Sequence, residues 1–440
     1  MRRLLLILGL LLSVISWCRG QVCGCTDPLA TNYNTDATLN DGSCLYDTTI
    51  IYASEIGLLD SVLNGTSTLF YWNGGYWTYN DHNDWHLYRI NSTDATIMQT
   101  LDISEIQCFD AEEVSQDNHY LYFGDIGNNI CGCRHDLRIL RVSKDMISGP
   151  IAVDTIAFSY EDQSDFAELS SNSTDFDCEA FIVTDDSIYL FTKQWVSKQT
   201  TIYSLPKTPG THIAYRRKTY DAQGLITGAT YLPEYRLVVL CGYDYGSFLN
   251  SLHPFILLLY DFQGNDFLSG NKRRLDFFEM EKAQVEAIAT PNALDYYITN
   301  EHFSGFFTGL LSINIPAKLQ RLDLRDYLLP YLSEFPGFVD TPPSPDTIPY
   351  NNAIHSPQSE PDYFLIYPNP VKDRLYIDFP QEFQGAEYVI FNLNGQRVVA
   401  GVLKERFVSL GDMNMPAGEY VLLIRKNKII KTFPFIKQEN

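Results

Sequence analysis

The stretch Cys178-Glu179-Ala180-Phe181-Ile182-Val183, a break at Asp185-Asp186 and the stretch Ile188-Tyr189-Leu190-Phe191-Thr192-Lys193 decide the fold. Two short runs rich in β-branched and aromatic residues, separated by turn-forming aspartates, are typical of a β-hairpin. Versions of this hairpin recur from about residue 50 to residue 329. The sequence therefore predicts a body that is built from one repeated β unit.

Four other copies of the hairpin align with this one. They occupy residues 67–70 with 76–81, 112–114 with 120–125, 228–230 with 237–242, and 286–288 with 296–301. A third strand is predicted after each hairpin, at 87–90, 137–142, 201–205, 255–260 and 310–315, and a more polar fourth strand often follows. Repeats of this kind favour an all-β fold, a β-propeller with five blades. Six blades are the alternative, because residues 48–54 either close a blade or begin a degenerate sixth one.

Five segments are predicted along the chain. Residues 1–20 have a basic start, an apolar core and small residues before Gln21, which is the pattern of a signal peptide and too short for a membrane span. A Cys-bounded, Asn/Asp-rich module (21–47), the propeller (48–329), a Pro-rich linker (330–361) and a compact β domain (362–440) follow. The mature chain is expected to lack a transmembrane segment.

Charge and cysteine content limit the possible partners. The formal net charge of -22 makes nucleic acid an unlikely partner and favours cations. Eight cysteines remain if Cys18 leaves with the signal peptide, which favours disulfides in an exported chain. A disulfide bond between Cys25 and Cys44 is expected in the short module. The Cys131-x-Cys133 spacing is interpreted as disulfide or turn chemistry, with metal binding as the lesser alternative.

Oxygen-bearing side chains in the 21–47 module leave two interpretations open. They are Asp27, Asn34, Asp36 and Asp41. Their spacing is not that of an EF-hand, so Asx turns around a disulfide loop are favoured over a calcium site.

The hairpin geometry predicts an acidic ring. In an antiparallel hairpin the start of the first strand lies beside the end of the second, and the inner strands of a propeller line its axis. Six carboxylates are therefore expected at one mouth of the channel, as tentative metal ligands: Asp81, Glu112, Asp125, Glu179, Glu286 and Glu301. Lys193, and Gly228 with Gly242 in the fourth copy, interrupt the ring. Local pairing of the carboxylates, such as Glu179 with Lys193, is the favoured interpretation, and a bound Ca²⁺, the possible cofactor, is the alternative.

Catalysis at this mouth is a second hypothesis. His82 follows Asp81, and His302 follows Glu301, so the two imidazoles could act as general bases beside Glu179 and Glu286. Surface histidines without such a task are the simpler interpretation. Sequence motifs of common nucleophilic, zinc and nucleotide sites are absent.

A resemblance extends over the repeated body. Residues 110–114 with 124–129, residues 178–180 and residues 284–288 are similar to an uncharacterised class of exported propellers. The Glu-Ala strand starts also resemble esterase-like phytase and calcium-dependent lactonase propellers. That resemblance implies a fold more than an activity, because propellers support both enzymes and binding platforms.

The last segment closely resembles the type A C-terminal sorting domain of type IX secretion cargo. Its landmarks are Tyr367-Pro368-Asn369-Pro370, a hairpin at Asn394-Gly395, Gly418-Glu419-Tyr420 and a basic end at Lys428, Lys431 and Lys437. The resemblance implies a small immunoglobulin-like β-sandwich that the outer-membrane translocon reads and that is often removed later. It also implies export through the periplasm to the cell surface or the extracellular medium.

Two functions therefore remain in view. The first is a secreted or cell-surface propeller that binds a glycan or a protein and holds a channel cation. The alternative is a calcium-dependent hydrolase of lactones, esters or phosphoesters at the acidic mouth. A screen of these substrates and an assay for bound calcium separate the two.

Overall fold

The structure is a computed structural model of the 440-residue chain. It describes residues 21–81, 84–147, 151–245, 252–277, 283–307, 311–340, 365–367, 371–379, 383–392, 396–410, 415–426 and 429–438. The predicted signal peptide lies outside these residues. Two compact units, Met1–Pro349 and Tyr350–Asn440, divide the chain inside the predicted linker.

Strands dominate the first unit. The N-terminal segment contributes β1 (Cys23–Gly24), β2 (Leu39–Asn40), β3 (Ile50–Ile51) and β4 (Ser54–Leu58). The first sheet contains β5 (Thr66–Trp72), β6 (Gly75–Asn80), β7 (His86–Ile90) and β8 (Ile97–Asp102), and the second contains β9 (Ala111–Gln116), β10 (Tyr120–Asp125), β11 (Arg138–Ser143) and β12 (Val153–Tyr160). The third contains β13 (Cys178–Val183), β14 (Ser187–Thr192), β15 (Thr200–Pro206) and β16 (Gly210–Tyr220). The second and third, counted here as two sheets, are joined by the parallel pairing of β12 with β16 into one eight-stranded array. The fourth contains β17 (Leu225–Leu232), β18 (Leu237–Tyr245), β19 (Leu252–Tyr260) and β20 (Asn271–Phe277).

The fifth sheet is interrupted by an inserted hairpin. After β21 (Val285–Ala289) and β22 (Asp295–Asn300), β23 (Phe303–Phe307) pairs only with β24 (Leu311–Ile315) among the described strands. The next strand, β25 (Lys318–Asp323), pairs with β22. The prediction that residues 310–315 form the third strand of this copy is therefore wrong. An inserted hairpin has the same alternation of side chains as a sheet strand, so the pattern alone does not distinguish them.

The five sheets are arranged in a ring. Their first strands, β5, β9, β13, β17 and β21, contact one another in that order, and β21 returns to contact β5. These strands are largely buried on both faces, as the fully buried β13 and β21 show. Because each sheet packs its faces against its neighbours, the strands contain long apolar runs. The first unit is therefore an all-β, propeller-like body.

The N-terminal segment adds strands to two sheets of this ring. β4 pairs antiparallel with β25 and supplies the outermost strand of the fifth sheet. β3 pairs parallel with β20 at the edge of the fourth sheet. Residues 48–54 were predicted to close one blade or to begin a sixth, and they contribute strand pairings to the fourth and fifth sheets. Both pairings cover sheet edges that would otherwise expose unpaired backbone groups.

The small module packs against the fourth sheet. The Cys25–Cys44 disulfide is present as predicted. Asn40 donates from its Nδ2 to Asp261 and Asn271, each at 2.9 Å, and Tyr46 lies 3.0 Å from the Tyr260 hydroxyl. The predicted Asx turns are present, since each acceptor side chain bonds the backbone N–H two residues later. They start at Asp27, Asn34, Asn40 and Asp41.

The other cysteines only partly follow the prediction. Cys131 and Cys133 form a disulfide. The remaining described cysteines are free thiols, and two of them are fully buried between strands. The free thiols are Cys23, Cys108, Cys178 and Cys241.

Helical structure is sparse in the described part of the chain. Three 3₁₀ turns occupy Ser61–Leu63, Lys144–Met146 and Pro233–Tyr235. One helix, α1 (Arg325–Leu332), follows β25 and extends into the first residues of the predicted linker. Its buried Leu328 and Leu332 belong to the core beside the fourth and fifth sheets, although Leu332 lies in the segment predicted to be linker. None of the described helices has the length and apolarity needed to span a membrane.

The second unit is also all-β. Its strands are β26 (Leu365–Tyr367), β27 (Arg374–Asp378), β28 (Glu387–Asn392), β29 (Arg397–Val402), β30 (Phe407–Ser409), β31 (Gly418–Lys426) and β32 (Ile429–Lys437). Among the described strands they form a three-stranded sheet, β26-β27-β30, and a four-stranded sheet, β29-β28-β31-β32. Apolar side chains from both sheets, including Leu375, Ile377, Ile390 and Leu422, form one core. The predicted hairpin pairing of β28 with β29 is present.

Candidate acidic mouth of the ring

A bulge begins each inner strand of the ring. The register of every first hairpin slips by one residue near the start of its first strand, so one extra residue sits at the same level in all five sheets. Such a bulge locally redirects a side chain. The bulged residues are Ser67, Glu112, Glu179, Thr227 and Glu286. The fourth member is therefore Thr227, whereas the sequence alignment placed Gly228 at this position.

A buried ion-pair cluster lies at this level. Lys193 Nζ is 2.5 Å from Glu179 Oε2 and 4.0 Å from Glu286 Oε2, and all three side chains are at least 93% buried. Burial raises the pKa of Glu179 to about 8, although Lys193 opposes the shift. Burial would lower the pKa of Lys193, but Glu179 and Glu286 outweigh it and hold that pKa well above its usual value. The predicted local pairing of Glu179 with Lys193 is present.

Glu286 and Glu112 complete this buried layer. Burial, reinforced by neighbouring carboxylates, raises the pKa of both groups well above the usual value for glutamate. Glu286 also shares a hydrogen bond with Glu179, which requires a proton between the two carboxyls. Crowding of these carboxyl groups therefore disfavours the simultaneous ionisation of all of them.

Two aspartates extend the cluster. Asp177 is fully buried, and its carboxylate accepts hydrogen bonds from the Asn128 backbone N–H at 2.6 Å and from Trp195 Nε1 at 2.7 Å. Burial, with the nearby Asp177 charge, raises the pKa of Asp110 to about 6. Gly127 lies against Asp110 and Glu112 so closely that any Cβ there would collide with both carboxyls. A side chain at this loop position would therefore have to displace both carboxyl groups.

Aromatic rings enclose the lysine. The Nζ of Lys193 lies 4.8 Å from the ring centre of Trp195 and 5.1 Å from that of Tyr243. A desolvated ammonium gains energy from the faces of such rings. Carboxylates and aromatic faces together make this a cage for a cation, which Lys193 already occupies.

The rim above this layer is more accessible. Asp81, Asp110 and Glu301 are half-buried. The charge of Asp81 acts on Asp110, and the charge of Glu301 acts on the inner Glu179 and Glu286. The loops at this end of the strands also expose Phe109 and Val196, each about two-thirds exposed. The mouth therefore combines negative charge with apolar side chains.

Asp125 does not belong to the ring as predicted. The bulge pairs Asp125 with Ala111. The position in the second sheet that corresponds to Lys193 in the third and to Glu301 in the fifth is therefore taken by Ile126. A shift of one residue turns the side chain to the other face of the strand. There the fully buried carboxylate binds Arg134 at 2.8 Å and Arg138 at 3.0 Å.

The predicted histidines and metal site receive little support. His82 lies outside the described residues. His302 Nε2 is 2.7 Å from Asn314 Oδ1 in the inserted hairpin. Within the described ranges, no group of three or more His, Cys, Asp or Glu side chains is arranged to hold a metal ion. Calcium binding by the ring stays a prediction. In the buried layer, the positive charge beside Glu179 and Glu286 comes from Lys193.

The Glu113 side chain lies on the axis of the ring, below the acidic layer. Its Oε1 accepts from Thr68 Oγ1 at 2.7 Å and from the Val114 N–H at 2.9 Å, while Oε2 accepts from the Ala229 N–H at 2.9 Å. Strands β9 and β17 are not neighbours in the ring, so this side chain crosses the axis. Burial raises the pKa of Glu113 to about 8. The two mouths of the ring are thus separated by a buried carboxyl group.

Asp110 and Asp177 were not predicted from the sequence as members of the cluster. Each stands two residues before a bulged glutamate, giving Asp110-Ala111-Glu112 and Asp177-Cys178-Glu179. This Asp-x-Glu pattern occurs at the start of two inner strands, and it is the local signal that could have identified both aspartates. No comparable local signal marks Glu113, whose partner Ala229 is 116 residues away.

Comparison with known proteins identifies the second unit. Residues 365–438 match the family described as the secretion system C-terminal sorting domain, the Por secretion tail. The chain is therefore exported by type IX secretion to the cell surface or the extracellular space, and this tail interacts with the type IX machinery. No curated protein matches the chain.

Several solved structures are distantly similar. Glutaminyl cyclase of Myxococcus xanthus is 12% identical, with 63% of this chain and 99% of that chain covered and a TM-score of 0.37. CoXyl43, a β-xylosidase/α-arabinofuranosidase from a compost metagenome, is 13% identical, with 62% and 92% covered and a TM-score of 0.33. PorZ, a surface component of the type IX secretion system of Porphyromonas gingivalis, is 11% identical, with 84% and 70% covered and a TM-score of 0.20. At these scores the similarities carry no argument about function.

Proposed function

We propose that this protein is a cell-surface binding module that receives a cationic group of a protein or peptide partner at the acidic mouth. The observation that carries the proposal is the charge of that mouth. Its rim carries the half-buried carboxyls of Asp81, Asp110 and Glu301, and among the described residues the nearby cations Lys193 and Arg134 are already paired with Glu179 and Asp125. A potential of this sign attracts lysine and arginine side chains and raises their rate of association.

The rim supports a protein or peptide partner in particular. The half-buried Asp81, Asp110 and Glu301 surround the mouth, and Phe109 and Val196 expose apolar surface in the adjoining loops. Exposed apolar side chains next to charge are common where proteins dock. Export to the cell surface brings this mouth into contact with such partners.

Binding is tested with short basic peptides and fluorescence anisotropy. A fluorescein-labelled peptide that alternates arginine and tryptophan should bind the mature chain, and its binding should weaken as salt rises because the mouth charges are screened. The double variant Asp81→Asn with Glu301→Gln should weaken binding about tenfold. The matched control, Asp185→Asn with Asp186→Asn, removes the same charge at the opposite end of the ring and should bind as the wild type does. Equal losses in both double variants would refute a specific role for the mouth.

Finer features of the fold belong to the same proposal. We infer a five-bladed propeller for the first unit, supported by the ring of β5, β9, β13, β17 and β21 and by the closing strand β4. We infer an immunoglobulin-like sandwich for the second unit, supported by its two sheets and shared core. An experimental structure of each unit tests both.

A hydrolase is the second candidate, favoured by the protonated carboxyls. Glu179, whose pKa burial raises to about 8, keeps a proton at neutral pH and could act as a general acid, and burial raises the pKa of Glu286 in the same direction. An ester, lactone and phosphoester screen with and without Ca²⁺, together with elemental analysis, tests this candidate. Turnover that disappears in Glu179→Gln and Glu286→Gln would support it. No turnover on any of these substrates in the presence of Ca²⁺ would remove it.

A further inference from the structure

The loop that follows β10 carries a disulfide between Cys131 and Cys133, which have only Gly132 between them. Gly132 has a φ of 64°, a left-handed conformation that glycine adopts without strain, and this turn brings the two cysteines together. Both cysteines are partly exposed, whereas Cys25 and Cys44 of the other disulfide are buried. Of the two disulfides, Cys131–Cys133 is therefore the one that a thiol in solution reaches more easily.

This disulfide contributes little to the stability of the fold. The entropy that a disulfide removes from the unfolded chain grows with the length of the loop that it closes, and the two bridges have sequence separations of 2 and 19. Backbone hydrogen bonds hold the same loop independently of the short bridge. They join the Gly132 N–H to the Asn128 carbonyl at 3.0 Å, the Leu169 N–H to the Cys131 carbonyl at 2.9 Å and the Asn172 N–H to the Asn129 carbonyl at 2.8 Å. Reduction of Cys131–Cys133 should therefore leave the loop folded.

A backbone donor favours Cys131 as the sulfur that leaves when the bridge opens. The Cys133 N–H donates a hydrogen bond to the Cys131 Sγ at 3.3 Å. A hydrogen bond to the charged form of a group favours that form, so this N–H stabilises a thiolate on Cys131. A better stabilised thiolate leaves faster in thiol–disulfide exchange. We therefore expect an incoming thiolate to attack the Cys133 Sγ and to displace Cys131.

Exposed apolar side chains surround the disulfide. Ile130, which is 61% exposed, directly precedes the first cysteine, and Leu169, which is 46% exposed, lies against Gly132. The ring of Phe109 is 66% exposed and lies 5.3 Å from the guanidinium of Arg134, the residue after the second cysteine. Apolar side chains that are exposed close together mark interaction sites. A partner that offers both thiols and apolar side chains is a polypeptide that has not finished folding.

We propose that the Cys131–Cys133 disulfide oxidises a pair of thiols in such a cysteine-containing polypeptide. A substrate thiolate attacks the Cys133 Sγ, the bond to Cys131 breaks, and a mixed disulfide forms. The second substrate thiolate then attacks the substrate sulfur of the mixed disulfide and releases Cys133. The substrate thus loses two electrons and two protons, and Cys131 and Cys133 gain them as thiols. The reaction does not depend on the cation-binding function proposed for the acidic mouth.

A redox titration of the wild-type mature chain tests whether the bridge is exchangeable. The chain is equilibrated in mixtures of reduced and oxidised glutathione, free thiols are alkylated, and mass spectrometry of proteolytic fragments gives the reduced fraction of each disulfide. Cys131–Cys133 should be half reduced at a ratio [GSH]²/[GSSG] about 100-fold lower than Cys25–Cys44, with unchanged tryptophan fluorescence. Reduction of both bridges at the same ratio, or unfolding when Cys131–Cys133 opens, would overturn the proposal. This titration uses no variant, so it decides even where a variant fails to fold.

Oxidation of a peptide tests the activity itself. The probe has two cysteines flanked by leucines and carries a fluorophore and a quencher, so that closure of its disulfide lowers the fluorescence. With the protein in excess and oxygen excluded, the wild type should oxidise the probe at least about tenfold faster than the double variant Cys131→Ser with Cys133→Ser. Equal rates in the two proteins would overturn the proposal.

A second pair of variants tests the polypeptide as the substrate. Ile130→Asn with Leu169→Asn should slow oxidation of the leucine-flanked probe about fivefold and leave oxidation of dithiothreitol unchanged, because the small dithiol makes no apolar contacts. The matched control, Leu45→Asn with Met98→Asn, removes apolar side chains that are 63% and 61% exposed elsewhere and should change neither rate. Equal losses in both double variants, or an equal loss with dithiothreitol, would overturn the choice of a polypeptide substrate.

Discussion

Replacing Glu113 should change how the stability of the protein depends on pH. This carboxyl is 97% buried on the axis of the ring, and its pKa is raised to about 8 from an ordinary 4.5. Between these values the folded state binds a proton that the unfolded state has released. The free energy of unfolding therefore falls as pH rises, by about 2 kcal/mol between pH 6 and pH 8 from this group alone.

Denaturation by urea at pH 6, 7 and 8, followed by tryptophan fluorescence, measures this effect. In Glu113→Gln the side chain cannot ionise, so the variant should lack this contribution. Other buried carboxyls, such as Glu179, have raised pKa values in both proteins and cancel in the difference. The exposed substitution Glu105→Gln is the matched control and should follow the wild type at each pH.

An identical pH dependence in wild type and Glu113→Gln would refute the reasoning. That result would mean that Glu113 is ionised when folded. The three donors around its oxygens, from Thr68, Val114 and Ala229, would then outweigh the cost of burial, because hydrogen bonds to a carboxylate favour its charged form.

Three other substitutions test the remaining interactions. Lys193→Met should lower the free energy of unfolding by about 3–5 kcal/mol, because it leaves buried carboxyls without their cation, and adding Glu179→Gln should recover part of the loss. Trp195→Phe should cost about 1–3 kcal/mol, since a fully buried carboxylate loses its indole donor, and a similar melting temperature would contradict this. Cys25→Ser should cost about 3 kcal/mol by opening the disulfide of the N-terminal module, and Cys44→Ser, which opens the same disulfide, should give a comparable loss.

The acidic mouth was predictable in part. Glu112, Glu179 and Glu286 share a place at the start of their strands, and a hairpin fixes which end of the sheet that is. The prediction failed for Asp125 and Gly228, because a bulge shifts the register by one residue and leaves the alternation of side chains almost unchanged. Arg134 and Arg138, which bind Asp125, come from a loop and from another strand, so only the folded chain brings them together.

The sequence by itself determined the repeated hairpins, the disulfide of the module and the destination of the chain. These depend on local patterns or on short motifs, such as the alternation in residues 178–193 and the tail at 365–438. The tertiary structure alone decided which side chains share a site. Glu113 meets Ala229 across the axis, and Tyr76 reaches Tyr297 only because the fifth sheet returns to the first. Contacts between residues so far apart in the sequence depend on how the ring closes, and no local sequence pattern predicts them.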